Sequence, residues 1–253
     1  MPRNFETVLI TGASAGIGAA CARAFAAQGA RLVLAARRRD RLDELAAGLG
    51  GAECHLLELD VRDREAVAAA LAGLPAEWAG IDVLVNNAGM GRGLDKLHES
   101  DPDGWDQMVD TNVKGLLYVT RAVLPGMVER GRGHVINIGS VAGHEVYPGG
   151  AVYCATKHAV DAITRGMRMD LLGTGVRVST VDPGMVETEF SIVRFGGDEE
   201  RARRVYAGMT PLTPDDIAET VLWCATRPPH VNIDEIILKP TDQASATLVH
   251  RDR

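Results

Sequence analysis

A glycine-rich turn near the start of the chain constrains the fold more than any other stretch. Residues Thr11–Gly18 read TGASAGIG, and they follow the short β-branched run Thr7–Ile10. The next residues, Ala19–Gln28, are rich in helix formers and stop at Gly29. A strand, a glycine-rich turn and a helix in this order bind phosphate, because the backbone approaches closely and the helix N-terminus offers free N–H groups. A plain strand–helix turn is the weaker alternative, and the missing Gly-Lys-Ser/Thr ending disfavours a nucleoside triphosphatase.

Apolar runs with strand character alternate with helical patterns along the chain. The strand patterns are Thr7–Ile10, Arg31–Ala36, Cys54–Leu59, Ile81–Val85, Gly133–Gly139, Val176–Val181 and Asp234–Leu238. The later helical patterns are Arg62–Gly73, Trp105–Arg130 with an interruption at Pro125, Tyr153–Leu172 and Asp215–Thr226. The alternation predicts a single α/β domain over residues 1–253, a Rossmann-type doubly wound sheet of seven mainly parallel strands flanked by helices. Ligands of such sheets bind beyond the carboxyl ends of the strands.

The end of the second strand pattern indicates which nicotinamide cofactor would fit. Arg37 and Arg38 follow it, where a Rossmann unit that binds NAD carries an acidic residue for the ribose 2′-hydroxyl. Arginine instead suits a 2′-phosphate, through its charge and its forked donors. A solvated basic helix start is the alternative, although a helix N-terminus disfavours cations. The sequence therefore favours NADP(H).

Small or polar residues also follow three later strand patterns. Asp60-Val61 lies where an adenine edge could be bound, and Asn86–Gly89 forms a flat turn that lets a nicotinamide ribose lie against the backbone. Pro183-Gly184 breaks the chain after the sixth strand, and Thr188 is placed to reach a carboxamide. All these stretches fall at the edge of the sheet where a ligand is expected.

Tyr153 and Lys157 are four residues apart, so they share one face of a predicted helix. A cation beside a phenol favours the phenolate and lowers a pKa that is otherwise about 10. Ser140 ends the fifth strand pattern and can point at the same space. Asn112 lies inside a helical pattern. A polar residue in such a place more often bonds locally or faces solvent, and it can also open the helix to hold a water. Tyr-x-x-x-Lys alone is weak evidence, but the strand ends that converge on it favour acid–base catalysis.

Composition excludes several classes of protein. A net charge of −7 argues against a general affinity for nucleic acid. Cys21, Cys54, Cys154 and Cys224 show neither CxxC nor metal-ligand spacing, so we expect reduced thiols in a cytoplasmic protein and no metal site. No apolar run approaches the roughly 18 residues of a membrane span, and the first residues lack a signal-peptide pattern.

Taken together, these residues resemble the short-chain dehydrogenases/reductases over essentially the whole chain. The matching motifs are TGASAGIG (Thr11–Gly18), Asp60-Val61, NNAG (Asn86–Gly89), Asn112, Ser140, Tyr153, Lys157 and PGMVET (Pro183–Thr188). The resemblance implies hydride transfer between the cofactor and an alcohol/carbonyl pair. It implies a catalytic tetrad of Asn112, Ser140, Tyr153 and Lys157. Ser140 and Tyr153 would bond the substrate oxygen, Lys157 would bind ribose hydroxyls and tune Tyr153, and Asn112 would hold a relay water.

The resemblance also implies the residues of the cofactor site. They are Gly12, Ser14, Ala15, Gly16, Ile17, Gly18, Arg37, Arg38, Asp60, Val61, Asn87, Ala88, Gly89, Tyr153, Lys157, Pro183, Gly184, Val186 and Thr188. Ala15 stands where some family members carry a basic residue, which leaves Arg37 and Arg38 to carry the NADP(H) preference.

A narrower resemblance concerns the substrate. Six stretches are similar to the NADP-dependent 3-hydroxy acid dehydrogenases, which oxidise serine, allo-threonine and 3-hydroxypropanoate-type acids. These are Leu74–Trp78, Arg121–Arg130, Ile136–Ser140, Thr188–Ser191, Val193–Phe195 and His230–Ile233. The ending Lys239–Gln243 resembles reductases of bulkier aldehydes, which stay an alternative. A non-catalytic NADP sensor is a second alternative, but it would not need the tetrad.

The long irregular stretch at about 185–213 is a candidate substrate lid. Within it, Arg194 is a candidate ligand for a substrate carboxylate, and Tyr147 is a further substrate-binding candidate. The alternative for Arg194 is a surface ion pair with Asp198 or Glu199. The family resemblance also implies a homotetramer, or a dimer, that pairs the final strand region and the long helices over Trp105–Arg130 and Tyr153–Leu172.

Overall fold

The computed structural model describes residues 5–252, and within that range the chain forms one seven-stranded parallel sheet in the order β3-β2-β1-β4-β5-β6-β7. The strands are β1 (Thr7–Thr11), β2 (Arg31–Ala36), β3 (Cys54–Glu58), β4 (Val83–Asn86), β5 (Gly133–Ile138), β6 (Val176–Pro183) and β7 (Glu235–Leu238). The helices are α1 (Gly16–Ala27), α2 (Arg39–Ala47), α3 (Arg64–Ala72), α4 (Pro102–Val109), α5 (Leu116–Glu129), α6 (Ala151–Asp170), α7 (Phe190–Arg194), α8 (Glu199–Arg204) and α9 (Pro214–Ala225). The predicted doubly wound α/β architecture is confirmed.

Alternate residues of the central strands face opposite helical layers. On β1, Val8 and Ile10 belong to the core that includes Phe25 of α1 and Ile217 of α9, whereas Leu9 packs in the core on the α3, α5 and α6 side. Strands buried on both faces read as near-continuous apolar runs. That is why the strand patterns are visible in the sequence.

The longest predicted helix differs from the prediction in two ways. The stretch Trp105–Arg130 begins earlier, at Pro102, and it widens into a π-helical segment at Asp110–Gly115. Pro125, the predicted interruption, lies inside α5. Three buried residues of α5, spaced by four, form one stripe against the sheet: Val119, Val123 and Met127. This continuous packing holds the helix together across a residue that lacks an N–H donor.

The stretch 185–213 carries α7 and α8. Helix α8 carries charged residues that form a solvated face. Glu199 pairs with Arg203 at 3.5 Å, and Glu200 pairs with Arg204. Asp198 caps the helix by accepting a hydrogen bond from the Arg201 backbone N–H. The backbone here is therefore ordered by local caps and ion pairs.

Helix α9 begins at a capping box. The Thr213 hydroxyl accepts from the backbone N–H of Asp216 at 3.3 Å, and the Asp216 carboxylate accepts from the backbone N–H of Thr213 at 2.7 Å. Both donors would otherwise lack a partner at the helix N-terminus. Thr213 is therefore the residue that caps α9.

The four cysteines are free thiols, and three of them (Cys21, Cys154 and Cys224) are buried. Among residues 5–252, no helix combines the length and apolarity needed to cross a bilayer. The sheet order reverses at β1, which has β2 on one side and β4 on the other. A crevice at such a reversal is where open α/β sheets bind ligands.

Candidate active site

A cavity of about 670 Å³ lies at the carboxyl edge of the sheet, between the strand ends and the stretch 185–213. All but two of the predicted site residues line it. They are Gly12, Ser14, Ala15, Gly16, Ile17, Arg37, Arg38, Asp60, Val61, Asn87, Ala88, Gly89, Ser140, Tyr147, Tyr153, Lys157, Pro183, Gly184, Val186, Thr188 and Arg194. The exceptions are Gly18 and Asn112, which lie behind the wall.

The glycine-rich turn is tied to the end of β4. Gly12 has a φ of +64°, and a Cβ there would lie 2.9 Å from the Ala88 Cα atom. The Asn87 side chain donates to the carbonyls of Thr11 and Gly12, at 2.9 and 3.1 Å. A Cβ on Gly18 would lie 2.4 Å from the Gly12 carbonyl oxygen. Gly18 therefore serves close packing of the turn on α1 instead of lining the cavity.

Two arginines follow β2 at one end of the cavity. Arg37 is exposed there, while the Arg38 guanidinium donates to the Ser14 hydroxyl at 3.2 Å and to the Glu189 carboxylate at 3.0 Å. No acidic residue ends β2, since Ala35 and Ala36 are followed directly by the arginines. Two guanidinium groups and a hydroxyl beside a glycine-rich turn fit a phosphorylated ribose.

Asp60 and Val61 line the cavity beyond the end of β3. The Asp60 carboxylate accepts hydrogen bonds from the backbone and the side chain of Arg62, both at 3.0 Å. These bonds hold the pKa of Asp60 below its usual value. Asp60 is therefore an ionised acceptor fixed in position at the cavity edge.

Tyr153 and Lys157 project from α6 as the spacing predicts, but their electrostatics differ from the prediction. Lys157 Nζ donates to the Ile138 carbonyl at 2.9 Å and lies 6.0 Å from the centre of the Tyr153 ring. Burial lowers the pKa of Lys157 to about 8, opposed by the charge of Asp182. Loss of solvent raises the pKa of Tyr153, and the groups that counter it are Arg194 and Ser140. The cation that favours the Tyr153 phenolate is thus Arg194.

Ser140 follows β5 and caps the short 3-10 turn Val141–Gly143. Its hydroxyl accepts from the Ala142 backbone N–H at 3.1 Å and donates to the Pro183 carbonyl at 3.4 Å. The interaction of this hydroxyl with the Tyr153 phenol lowers the pKa of that phenol. Two hydroxyl groups, from β5 and α6, therefore meet at one point of the cavity wall.

Asn112 lies in the π-helical segment and is 2% exposed. Its amide accepts from the Met90 backbone N–H and donates to the Met90 carbonyl, both at 2.8 Å, and it donates to Thr156 at 3.0 Å. The widened helix agrees with a residue that opens the ladder. The side chain itself bonds the segment that follows Gly89, so it shapes the wall next to Lys157.

Arg194, the last residue of α7, lies across the aromatic side of the cavity. Its guanidinium carbon is 4.8 Å from the centre of the Tyr153 ring, 5.2 Å from that of Phe190 and 5.9 Å from that of Tyr147. Its Nη2 donates to the Tyr147 hydroxyl at 2.8 Å, while the buried Nε has no hydrogen-bond partner. Asp198 and Glu199, its alternative partners, are engaged at α8.

The remaining predicted residues close the opposite wall. Gly184 bonds the Leu238 carbonyl through its N–H at 2.7 Å, Val186 forms a parallel bridge with Leu212, and Thr188 accepts from the Phe190 N–H at 3.1 Å. Sequence reasoning missed Gln243, which lines the cavity and accepts from the Met185 N–H at 2.9 Å. It also missed Glu189, the partner of Arg38. Both contacts are tertiary, and no local pattern marks them.

Known proteins similar to this chain are nicotinamide-dependent oxidoreductases. A family model described as short chain dehydrogenase matches residues 6–195. The chain is 52% identical over 246 residues to an NADP-dependent 3-hydroxy acid dehydrogenase of Salmonella typhi, which covers 96% of this chain and 99% of the relative. It is 46% identical over 240 residues to a serine 3-dehydrogenase of Rhizobium radiobacter, with 95% and 96% covered. The closed form of a serine dehydrogenase complexed with NADP⁺ matches with a TM-score of 0.93 at 50% identity, covering 97% of this chain and 100% of that one.

Proposed function

The chain belongs to the short-chain dehydrogenase family, and from this premise we propose that it interconverts a small 3-hydroxy acid and the corresponding semialdehyde or keto acid. The enzyme is an NADP-dependent dehydrogenase that acts on CH–OH groups. Serine, allo-threonine and 3-hydroxypropanoate are the acids of the right size and chemistry. Arg194 is the observation that supports the acidic substrate.

The residues around the cavity fit NADP(H). The glycine-rich turn and the N-terminus of α1 would hold the pyrophosphate, and Arg37 and Arg38 would hold the 2′-phosphate. Asp60-Val61 would meet the adenine, while Asn87–Gly89 and Pro183–Thr188 would line the nicotinamide end. When bound, the cofactor donates or accepts the hydride that the reaction moves.

Ser140 and Tyr153 act on the substrate oxygen. Both hydroxyl groups face one point of the cavity, so a carbonyl oxygen placed there receives two hydrogen bonds. In reduction, the Tyr153 phenol transfers its proton to that oxygen as the hydride reaches the carbon, and in oxidation the phenolate takes the proton back. Arg194 lies against the Tyr153 ring and stabilises the phenolate.

Lys157 and Asn112 complete the proton path in this proposal. Lys157 is buried and its Nζ flanks Gly89, so its ammonium would bind the ribose hydroxyls. Asn112 flanks Gly89 as well. A Cβ built on Gly89 would lie 3.5 Å from Asn112 Oδ1 and 3.7 Å from Lys157 Nζ. A water held at the π-helical segment beside Asn112 would exchange protons with Lys157.

Arg194 gives the site its selectivity for an acid. A 3-hydroxy acid carries a carboxylate two carbons from the reacting oxygen, and Arg194 lies directly over the Tyr153 ring. Its buried Nε lacks a partner, and a buried donor without one is unfavourable. A substrate carboxylate would accept from Nε and supply the missing bond, with Tyr147 holding the other edge of the guanidinium.

The test compares charged and neutral substrates in Arg194→Met. We expect KM for 3-hydroxypropanoate to rise about 100-fold, because a charged hydrogen bond contributes about 1.5–3 kcal/mol. KM for a neutral aldehyde such as butanal should change far less. Arg92→Met is the matched control, because Arg92 bonds the Val193 carbonyl of the same helix at 2.8 Å without lining the cavity. Equal effects on both substrates would remove the role assigned to Arg194.

We also propose self-association, as a homotetramer or a dimer. Apolar side chains are exposed on the two long helices: Leu117 and Val128 on α5, Met169 on α6, and Leu172 just after it. Exposed apolar groups on these two helices favour helix pairing between copies. The predicted cytoplasmic location stays a prediction that rests on the four thiols.

A further inference from the structure

A buried carboxylate lies directly behind the proposed catalytic groups. Asp182, near the end of β6, is 2% exposed. It accepts from the Thr180 hydroxyl at 2.5 Å and from His144 Nε2 at 2.7 Å. Burial raises the pKa of Asp182, while the bonds from Thr180 and His144 lower it. His144 is only partly buried, so it joins this carboxylate to the protein surface.

Asp182 and His144 are placed on either side of Ser140: Asp182 packs against the residue before it, and His144 follows the turn after it. A Cβ on Gly139 would lie 1.8 Å from Asp182 Oδ1, so the carboxylate packs against the backbone just before Ser140. The Gly139 N–H donates to the Val181 carbonyl at 2.9 Å. On the other side of Ser140, His144 ends the 3-10 turn that begins after it. Movement of Ser140 would therefore disturb either the packing of Asp182 on Gly139 or the hydrogen bond of Asp182 with His144.

The same carboxylate acts on Lys157. The charge of Asp182 is the influence that opposes the lowering of the Lys157 pKa by burial. The 3-10 turn also packs on α6 at this lysine, because a Cβ on Gly143 would lie 2.9 Å from the Lys157 carbonyl oxygen. Tyr153 on α6 is the other titratable group that faces Lys157, and Arg194 on α7 lies over the Tyr153 ring.

We propose that Asp182 and His144 form a positioning pair: His144 fixes the Asp182 carboxylate, which holds Ser140 in place and balances the charge of Lys157. The inference rests on the proposed function, since it assigns the pair a role through Ser140 and Lys157. Neither residue lines the cavity. The pair therefore acts on the reaction without touching the substrate.

The charges around His144 leave Asp182 as its main partner. Glu235 on β7 lies 3.6 Å from His144 Nε2, and its carboxylate is also held by Arg165 of α6 at 3.0 Å. Arg165 in turn pairs with Asp161, one turn away on the same helix. Glu145, next to His144, accepts from the Ala246 N–H at 2.7 Å and from Lys239 at 3.2 Å. Glu235 and Glu145 therefore have partners of their own, apart from His144 and Asp182.

The first test compares two histidine substitutions. His144→Leu removes the donor to Asp182, whereas the amide nitrogen of His144→Gln reaches a similar position. We expect kcat to fall about 10-fold or more in His144→Leu, because small displacements of catalytic groups are costly. His144→Gln should restore most of the loss. His98→Leu is the control, because His98 pairs with Glu99 on the surface, away from the cavity.

The second test follows the pH dependence of kcat/KM in Asp182→Asn. Without the carboxylate, Lys157 loses the influence that keeps it charged, so the alkaline limb of the profile should move to lower pH than in the wild type. The matched control is Asp82→Asn. Asp82 is also buried, at 5% exposure, but it precedes β4 at the opposite edge of the sheet, where it accepts from the Glu6 and Thr7 N–H groups. It should leave the pH profile unchanged.

Substrate choice separates this inference from the proposed function. Each variant is assayed with 3-hydroxypropanoate and with butanal, and NADPH binding is followed by fluorescence. A wild type that reduces only butanal would end the proposed substrate class, yet the pair would still be tested, because any carbonyl uses Ser140. A kcat in His144→Leu equal to the wild type, or an unshifted profile in Asp182→Asn, would overturn the proposal. Loss of wild-type activity in EDTA would also overturn the proposed pair. It would mean that His144, Asp182 and Glu235 bind a cation, so that His144 would not be the donor to Asp182.

Discussion

Tyr153 lies between two cations with different surroundings. Arg194 reaches over the ring face from α7, whereas Lys157 is deeper in the wall and bonds the Ile138 carbonyl. Since burial raises the pKa of the phenol and lowers that of the ammonium, each group is shifted away from its charged form. A group exchanges protons most effectively when its pKa lies near the operating pH. Burial lowers the pKa of Lys157 to about 8, so desolvation draws Lys157 towards the range in which it can exchange protons.

Tyr153→Phe removes the group that exchanges a proton with the substrate. We expect kcat to fall by about 10²–10⁴-fold, the usual contribution of general acid–base catalysis. NADPH binding should stay within about twofold, because the ring and its contacts are kept. Steady-state kinetics and fluorescence titration measure the two quantities. Tyr118→Phe, outside the cavity, is the control, and wild-type kcat in Tyr153→Phe would contradict the mechanism.

Arg37→Asp tests the choice between the two nicotinamide cofactors. Arg37 is exposed at the cavity, so a carboxylate there repels a 2′-phosphate and can accept from a 2′-hydroxyl. We expect the ratio of kcat/KM for NADPH over NADH to fall about 100-fold, from the loss of a charge-assisted bond and the added repulsion. Arg41→Asp, in the first turn of α2, is the control. A wild type that prefers NAD(H) would show that the arginines have another role.

Single residues were predictable where the backbone dictates them. Glycines at the turn, Tyr153 and Lys157 on one helix face, and small residues at strand ends all follow from local pattern and the parallel sheet. Asp182, Gln243 and Glu189 escaped prediction because their importance arises from partners far away in the chain: Gly139, Met185 and Arg38. The tuning of Tyr153 by Arg194 escaped for the same reason, since α7 must first fold over the cavity.

At the scale of elements, the helix that contains Asn112 shows what periodicity misses. An apolar stripe predicts that the stretch is helical, but the switch from α to π geometry adds one residue to a turn without changing composition. The bonds of Asn112 to Met90 and Thr156 hold the wide turn in place. Pro125 carries a strong local signal for interruption, and tertiary packing of α5 overrides it.

The capping box of α9 supports a helix that packs against α1 in the core. Thr213→Ala removes the hydroxyl that accepts from the Asp216 N–H, and we expect the free energy of unfolding to fall by about 1 kcal/mol. Urea unfolding measures the loss. Thr220→Ala is matched, because its hydroxyl bonds only the Asp216 carbonyl within the same helix. An equal loss of unfolding free energy in both variants would mean that the capping hydroxyl contributes no more than a hydroxyl inside the helix.

At the scale of the molecule, the fold was predictable almost entirely. The buried central strands leave apolar runs of distinctive length, and the helices between the parallel strands fix the direction of each crossover. Where a strand end differs from the prediction, it differs by one or two residues, as with the fourth strand, predicted over Ile81–Val85 and found at Val83–Asn86. Edges of elements depend on hydrogen bonds to neighbours, which a single sequence does not show.

Association through the long helices is the prediction at this scale. Light scattering at micromolar concentration should give a multiple of the 27.0 kDa chain mass. Leu172→Glu puts a charge on a side chain that is 88% exposed at the end of α6, and the mass should fall. Leu97→Glu makes the same change at a 56% exposed leucine outside these helices and should leave the mass unchanged. A monomeric wild type would contradict the proposed assembly.

The central place of β1 determines the order in which the newly made chain can complete its sheet. Val8 pairs with Leu32 on one side and with Val83 on the other. Because the ribosome releases β2 and β3 before β4, the first half of the sheet forms with one edge of β1 unpaired, and an unpaired edge attracts other strands. Docking of β4 covers that edge but exposes its own, which β5, β6 and β7 then cover in turn, so the nascent chain carries an open sheet edge on this side until β7 has emerged.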